Sequence, residues 1–408
     1  MKIGERNEKK FDLIIWGATG YTGKLVCEYI FKNYKNTTLK WALGGRDKSK
    51  IKSLISSLNL NSIPYLIADS NNKSSLLNMT KMTKTVCSTV GPYAKYGTLL
   101  VEACIESKTN YCDITGETQW IRKIIDKFHA KAVESKVKII NACGFDSIPS
   151  DLGVFYAQNN MKENIGKYAS KIYMRVITMK GGVSGGTIHS FLNILKQSRK
   201  NKNILEIVKN PHGLSPGVDI FESDETDLKK IIYDKTCKEW IGPFVMASIN
   251  TRIVRRSNYL VDFKYGKDFI YNEASIVGKS IFSKFLGYFK LLPIYLISSV
   301  KNKTFNLLVK LALPKPGKGP TETSRKNGYF KFSFYVFDKK LKAVVFVSGD
   351  GCPGYGSTSK MLAESAVCLA IDRLPNKSGI LTPSTGLGAP LLSRLQKNTD
   401  LKFEFKQV

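Results

Sequence analysis

The first 150 residues alternate short apolar runs with amphipathic or polar stretches, a pattern that predicts a doubly wound parallel sheet. Leu13, Ile14, Ile15 and Trp16 are continuously apolar, as expected of a central strand covered on both faces. TTLKWALGGRD predicts a second strand ending at Gly44, Gly45 and Arg46, with a helix from Lys48 to Leu58 after it. SIPYLIAD predicts a third strand closing at Asp69, and a helix near Ser74 to Met82 follows. TKTVCSTVGPY then predicts a fourth strand ending at Gly91. A helix from Thr98 to Ser107 precedes the short strand NYCDITGE, and a helix from Trp120 to Ser135 leads to VKIINACGFDSIPSD, a last strand and its loop.

From about Leu152 the period changes. SKIYMRVITMKGG and NYLVDFKYG alternate as strands do, and GYFKFSFYVFD and LKAVVFVSG flank Asp338 and two lysines as an antiparallel hairpin. Helices are expected at Thr187 to Arg199 and Thr358 to Leu374. The predicted fold class is therefore α/β, a Rossmann doubly wound parallel sheet plus an α+β second domain on a largely antiparallel sheet. The expected division is 1–150, 151–354, and a C-terminal helix and tail, 355–408, returning to the first domain.

The first strand runs straight into GATGYTG, where Gly17, Gly20 and Gly23 recur every third residue with Thr19, Tyr21 and Thr22 between them. Such a turn needs residues without a Cβ, and a pyrophosphate lying on bare backbone leaves no room for side chains. The helix beginning near Thr22 would aim free N–H groups and its positive end at the phosphates. A structural tight turn is the competing reading. At the end of the second strand, glycine stands where NAD sites place a carboxylate, and Arg46 follows, which favours the extra phosphate of NADP over NAD. An Arg46 salt bridge to a helix carboxylate is the alternative.

Asp69 closes the third strand, facing either an adenine amine or a helix start. Gly91 and Tyr93 end the fourth, where backbone would meet the cofactor with Tyr93 near its nicotinamide, or a rigid Gly-Pro turn alone is formed. Asp113 follows the fifth strand, and Asp146 and Ser147 the sixth; these are the candidate catalytic residues, as pocket carboxyls or a proton donor. Ser147 or Ser150 capping a helix, with Pro149 and Asp151 in its first turn, is the structural reading. Tyr335 and Lys339 have the YxxxK spacing of short-chain dehydrogenases, but on a strand and hairpin rather than one helix, so they are set aside. His129, His189 and His212 build no nucleophile triad.

The chain has 408 residues and a net charge of +30, so phosphate-bearing partners come into view: nucleotides or anionic lipid headgroups. A lysine coat on solvated faces is the bland alternative. Nucleic acid is not expected, because no basic-and-aromatic cluster or finger motif appears. The eight cysteines form no CxxC pair and no metal-ligand spacing, which favours a reducing, intracellular setting without a metal. The charged start, MKIGERNEKK, does not read as a signal peptide. One apolar stretch, Ile281 to Val300, contains Lys284, Lys290 and Pro293 and is followed by lysines up to Lys318. Segment 281–318 reads as an interfacial element for an anionic membrane or lipid-droplet surface, or else as a buried hairpin or a homodimer contact.

GATGYTG, WALGGR, VGPYAKYG, YCDITGE and GFDSIPSDLG, with SGGTIHS, INTRIVRRS and TPSTGLGAPLLSRL in the second half, resemble the saccharopine dehydrogenase-like oxidoreductase family, which is related to trans-acting enoyl reductases. The resemblance implies a Rossmann domain, a reductase-like second domain and nicotinamide-dependent chemistry on lipid or glycolipid substrates. It also implies membrane or lipid-droplet association, as for animal members. The function expected is an NADP-dependent oxidoreductase acting on a lipid-like or acyl substrate at such a surface. The alternatives are a non-enzymatic lipid-surface protein and a soluble imine reductase, whose carboxylate pocket would draw on Arg175, Arg255 and Arg256.

Overall fold

The computed structural model describes residues 9–181, 194, 196–288 and 319–408. They form two compact units. One takes in the chain through Thr115, with Lys123–Gly144 and Ser359–Arg394; the other comprises Gly116–Arg122, Phe145–Thr358 and Leu395–Val408.

The first unit is built on a parallel sheet of β1 (Phe11–Trp16), β2 (Trp41–Gly45), β3 (Tyr65–Ile67), β4 (Thr83–Ser88), β5 (Asn110–Asp113), β6 (Lys138–Ile140) and β13 (Gly379–Leu381). Their order is β13-β6-β5-β4-β1-β2-β3. Leu13, Ile14, Ile15 and Trp16 are all buried, as two covered faces demand. The helices α1 (Tyr21–Tyr34), α2 (Lys48–Leu58), α3 (Lys73–Thr80), α4 (Tyr93–Tyr96), α5 (Thr98–Glu106) and α6 (Thr118–Glu134) occupy the crossovers. Sequence periodicity missed β13, since three residues are too few to show a period.

In the second unit, β7 (Lys171–Lys180), β8 (Ile232–Asp234), β9 (Glu239–Gly242), β10 (Ile270–Gly278), β11 (Tyr329–Asp338), β12 (Lys340–Asp350) and β14 (Lys402–Gln407) form a mixed sheet. The order is β14-β12-β11-β7-β10-β9-β8, antiparallel except where β7 runs parallel to β10. The β11–β12 hairpin turns at Lys339, which takes a left-handed φ of 61°. Tyr335 lies in β11 and Lys339 in its turn, so that pair shares no helix.

NYLVDFKYG is not a strand. Helix Ala247–Leu260 runs through its start, and a turn completes it with left-handed Asp262 and Phe263. Asn258 ties that turn, donating to Gly266 O at 2.8 Å and accepting from the Tyr265 N–H at 3.0 Å. Helix α7 (Ile148–Ile165) has no clear apolar stripe, because most of its residues from Ile148 to Gln158 are buried whatever their direction. Of the expected helix at 187–199, residues 194 and 196–199 are described and are helical; the rest of it and most of segment 281–318 lie outside the described residues.

Helix α7 approaches the sheet closely at Gly153, where a Cβ would stand 2.5 Å from Cζ of Phe334. Gly153→Ala should overpack this contact and destabilise the second unit by about 1–3 kcal/mol, read as a lower urea midpoint. A variant as stable as the parent would show that the Phe334 ring yields freely.

Candidate functional site

The turn after β1 is held by main chain on both sides. The Gly17 and Ala18 N–H groups donate to Gly44 O at the end of β2, at 3.0 and 3.2 Å. The Thr89 hydroxyl, beyond β4, donates to Trp16 O and Gly17 O, each at 3.1 Å. Gly17 has φ +85°, and a Cβ on Gly23 would fall 2.1 Å from Gly17 O, so neither position tolerates a side chain. Gly20 differs. A Cβ there would meet only Gly17 O, at 3.2 Å, and its other side is open.

Helix α1 starts at Tyr21 without a side-chain cap and without an acidic residue in its first turn. Thr19 and Gly20 are exposed, and Tyr21 and Thr22 are half-buried. The arrangement offers an uncapped, positive helix end beside bare backbone, which is what a diphosphate requires.

Arg46 is exposed immediately after β2. The neighbouring carboxylate does not engage it, because Asp47 caps α2 by accepting from the Lys50 N–H at 3.0 Å. Among the described residues no carboxylate pairs with Arg46. A planar cation left free at this strand end fits the additional phosphate of NADP.

Asp69 is half-buried and accepts from the Asn71 N–H at 2.8 Å, while Asn72 rather than Asp69 caps α3. Tyr93 turns inward: it is buried, and its hydroxyl donates to Ser88 O at 3.1 Å. The exposed part of that turn is therefore Gly91 and Pro92.

The candidate carboxyls separate sharply. Asp113 is fully buried and accepts from the Thr115 N–H at 3.0 Å, Tyr111 Oη at 2.9 Å, Asn141 Nδ2 at 2.9 Å and the Ala142 N–H at 3.2 Å. Desolvation pushes its carboxyl up to about 7, against those four hydrogen bonds. This carboxyl fastens the ends of β5 and β6, with both of its oxygens already accepting hydrogen bonds.

Asp146 is partly exposed and has no hydrogen-bond partner among the described residues. Desolvation alone pushes its carboxyl up to about 7. It faces Gly116, whose Cβ, if present, would lie 3.4 Å from Oδ2.

Ser147 stands at the N-cap position of α7 but does not cap it. Its hydroxyl, fully buried, donates instead to Asn250 Oδ1 at 3.1 Å, and Asn250 Nδ2 donates to Glu273 Oε2 at 2.9 Å. The Tyr271 hydroxyl holds the other oxygen of Glu273 at 2.7 Å. On the other side of Asp146, the Phe145 N–H donates to Thr358 Oγ1 at 3.1 Å. Sequence reasoning missed Asn250, Glu273 and Thr358. They lie far along the chain from Asp146, and only the packing of the second unit reveals the link.

The arginines considered for a carboxylate pocket are internal. Arg175 pairs with Asp234 at 2.6 Å and also bonds Asn272. Arg255 pairs with Asp224 at 3.3 Å and donates to Glu225 O and Tyr271 O. Arg256 donates to Leu214 O. His129 accepts from the Ile380 N–H, and His212 pairs with Asp224 at 2.9 Å. These are the bonds of a packed interior.

A doubly wound parallel sheet with a glycine turn after its first strand and an arginine after β2 is an architecture on which nicotinamide-dependent oxidoreductases are built. Residues 13–140 match the saccharopine dehydrogenase NADP-binding domain family. A Mycobacterium tuberculosis protein named a "putative trans-acting enoyl reductase" is 35% identical, over 95% of this chain and 96% of its own. Trans-acting enoyl reductases of Mycobacterium bovis and Mycobacterium ulcerans are 32% and 31% identical, each over 95% of this chain and 96% of their own. An apo saccharopine dehydrogenase (L-Glu forming) from Saccharomyces cerevisiae shares the fold at 13% identity, with a TM-score of 0.53 over 97% of this chain and 99% of that one. The chain belongs to the saccharopine dehydrogenase-like oxidoreductase family, and its cofactor is NADP.

Proposed function

We propose that this protein reduces the carbon–carbon double bond of an α,β-unsaturated acyl lipid and does so at a lipid surface. The observation that carries the chemistry is Asp146, a carboxyl raised to about 7, partly exposed and free of hydrogen-bond partners among the described residues. A proton donor needs this protonation state near neutral pH. The mycobacterial relatives, named for enoyl reduction, support the same reaction class.

In this reading Gly17, Gly20 and Gly23, with Thr19, Tyr21 and Thr22, form the diphosphate cradle at the start of α1. Arg46 takes the 2′-phosphate, Asp69 lies toward the adenine end, and the Gly91 backbone lines the turn after β4. NADPH, when bound, would supply the hydride that the β-carbon of the acyl group takes up. Asp146 gives its proton to the α-carbon and recovers one from water. Ser147 serves as an anchor of the backbone that carries Asp146.

The lipid surface rests on a separate feature. A helix at 281–288 leaves Phe282, Phe285 and Leu286 exposed at 80%, 61% and 57%, with Ile281 beside them. Its Gly287 backs onto Val277 and Ile231. Lys284 lies over the Trp240 ring at 4.6 Å. Apolar side chains beside lysines match an anionic monolayer, where burial and charge act together. Among the described residues no helix is long and apolar enough to cross a membrane.

Three outcomes test this reading. Arg46→Ala should weaken NADPH by roughly 1.5–3 kcal/mol and spare NADH, while Gly20→Val should weaken both; calorimetric titration measures each. An equal loss of both nucleotides in Arg46→Ala would remove the phosphate role.

With trans-2-decenoyl-N-acetylcysteamine as probe, turnover should fall above about pH 7 as Asp146 loses its proton. Asp146→Asn should lose at least about 100-fold in kcat together with that limb. Parental turnover in Asp146→Asn would remove the proton-donor role.

Phe282→Asp combined with Phe285→Asp should abolish flotation with phosphatidylserine vesicles while NADPH binding persists. Flotation equal to the parent would assign these side chains to another task.

A further inference from the structure

Asp146 is unusual among the buried acids of this chain because nothing described hydrogen-bonds to its carboxyl. Asp113 is gripped by four donors, and Glu273 by Tyr271 and Asn250. The position of the Asp146 carboxyl is therefore set by the backbone that carries it. That backbone is an irregular turn, without the bond ladder of a helix or strand.

Both flanking residues are tethered by buried side chains from distant parts of the same unit. The Phe145 N–H donates to Thr358 Oγ1 at 3.1 Å, and Thr358 Oγ1 in turn donates to Pro353 O at 2.8 Å. The Ser147 hydroxyl donates to Asn250 Oδ1 at 3.1 Å. Asn250 in turn donates to Glu273 Oε2 at 2.9 Å, so one amide joins Ser147 to a buried carboxyl that desolvation raises to about 7. Ser147 gives its hydroxyl to Asn250 and makes no cap on its own helix. The Phe145 ring is further wedged against Phe330, with ring centres 4.8 Å apart.

We propose that Thr358 and the Asn250–Glu273 pair are positioning residues that clamp the turn on either side of Asp146 and hold its unpartnered carboxyl in place for proton transfer. This rests on the reading of Asp146 as the proton donor. A carboxyl held by its own hydrogen bonds would be placed more firmly, but those bonds would favour its charged form. Clamping the flanking residues fixes the position and leaves the acid protonated. Placement matters at this scale, because a shift of about 1 Å can cost about 100-fold in rate.

The test uses the full-length protein, with Thr358→Val, Thr358→Ser and Ser147→Ala as variants. Carbon-13 NMR of labelled aspartate, assigned with Asp146→Asn, follows the Asp146 carboxyl through its titration without any substrate. The parent and Thr358→Ser, which keeps the hydroxyl, should titrate near pH 7. Thr358→Val and Ser147→Ala should release the carboxyl toward water and lower its midpoint by about one unit or more. With the decenoyl thioester, the same two variants should lose about ten-fold or more in kcat with KM and NADPH affinity little changed. Midpoint and kcat equal to the parent in either folded variant would overturn the clamp. Parental turnover in Asp146→Asn would instead overturn the proton-donor reading, so the two failures are distinct.

Discussion

The cofactor half depends on one close approach of main chain to main chain. Gly23, inside the first turn of α1, lies so near Gly17 O that the smallest side chain would collide with it at 2.1 Å. That contact brings the start of α1 hard against the end of β1. The helix therefore begins at the carboxyl edge of the sheet, where its N–H groups and dipole are concentrated. The bonds from Gly17 and Ala18 to Gly44 O and from Thr89 to Gly17 O brace the turn against the two neighbouring strands. The same two strands deliver Arg46 and Gly91 to that edge, so a single packing constraint organises the residues proposed to hold the nucleotide.

The second unit solves a different problem, the burial of charge. Arg175, Arg252 and Arg255 are almost wholly enclosed, and each has an aspartate partner, Asp234, Asp227 and Asp224 respectively. Such pairs contribute little net stability, since desolvation offsets the attraction, but removing one partner leaves a costly unpaired charge. The arginines are therefore bound into the fold, where a soluble substrate carboxylate would have to displace an existing ion pair. For Arg175 and Arg255 this weighs against a role in a carboxylate pocket.

Much of this was legible in the chain. Leu13 to Trp16 read as a covered central strand, and the glycine spacing read as a tight strand-to-helix turn on bare backbone, because both are local consequences of sterics and burial. The β11–β12 hairpin was equally legible from its alternation. What local reading missed was partly local. NYLVDFKYG alternates like a strand, yet the helix begun at Ala247 extends into it and its own first residue, Asn258, closes a turn with Tyr265 and Gly266. Tyr93 carries a polar group fit for a ligand, but its hydroxyl finds Ser88 O and its ring goes inward. The partners of Ser147 and Phe145 come from residues 250 and 358, a separation that no motif window spans.

The contrast between Asp113 and Asp146 shows why a shifted acid is not by itself a catalytic acid. Burial raises both carboxyls to about 7. Around Asp113, four inward donors use up the oxygens, so any proton it holds has no route to a ligand. Around Asp146, desolvation acts without compensating donors, and part of the residue remains open to solvent. A carboxyl that is protonated near neutrality, reachable and uncommitted is open to proton exchange with whatever reaches it; one held by four donors ties the ends of β5 and β6 together. The environment, more than the residue type, separates the two.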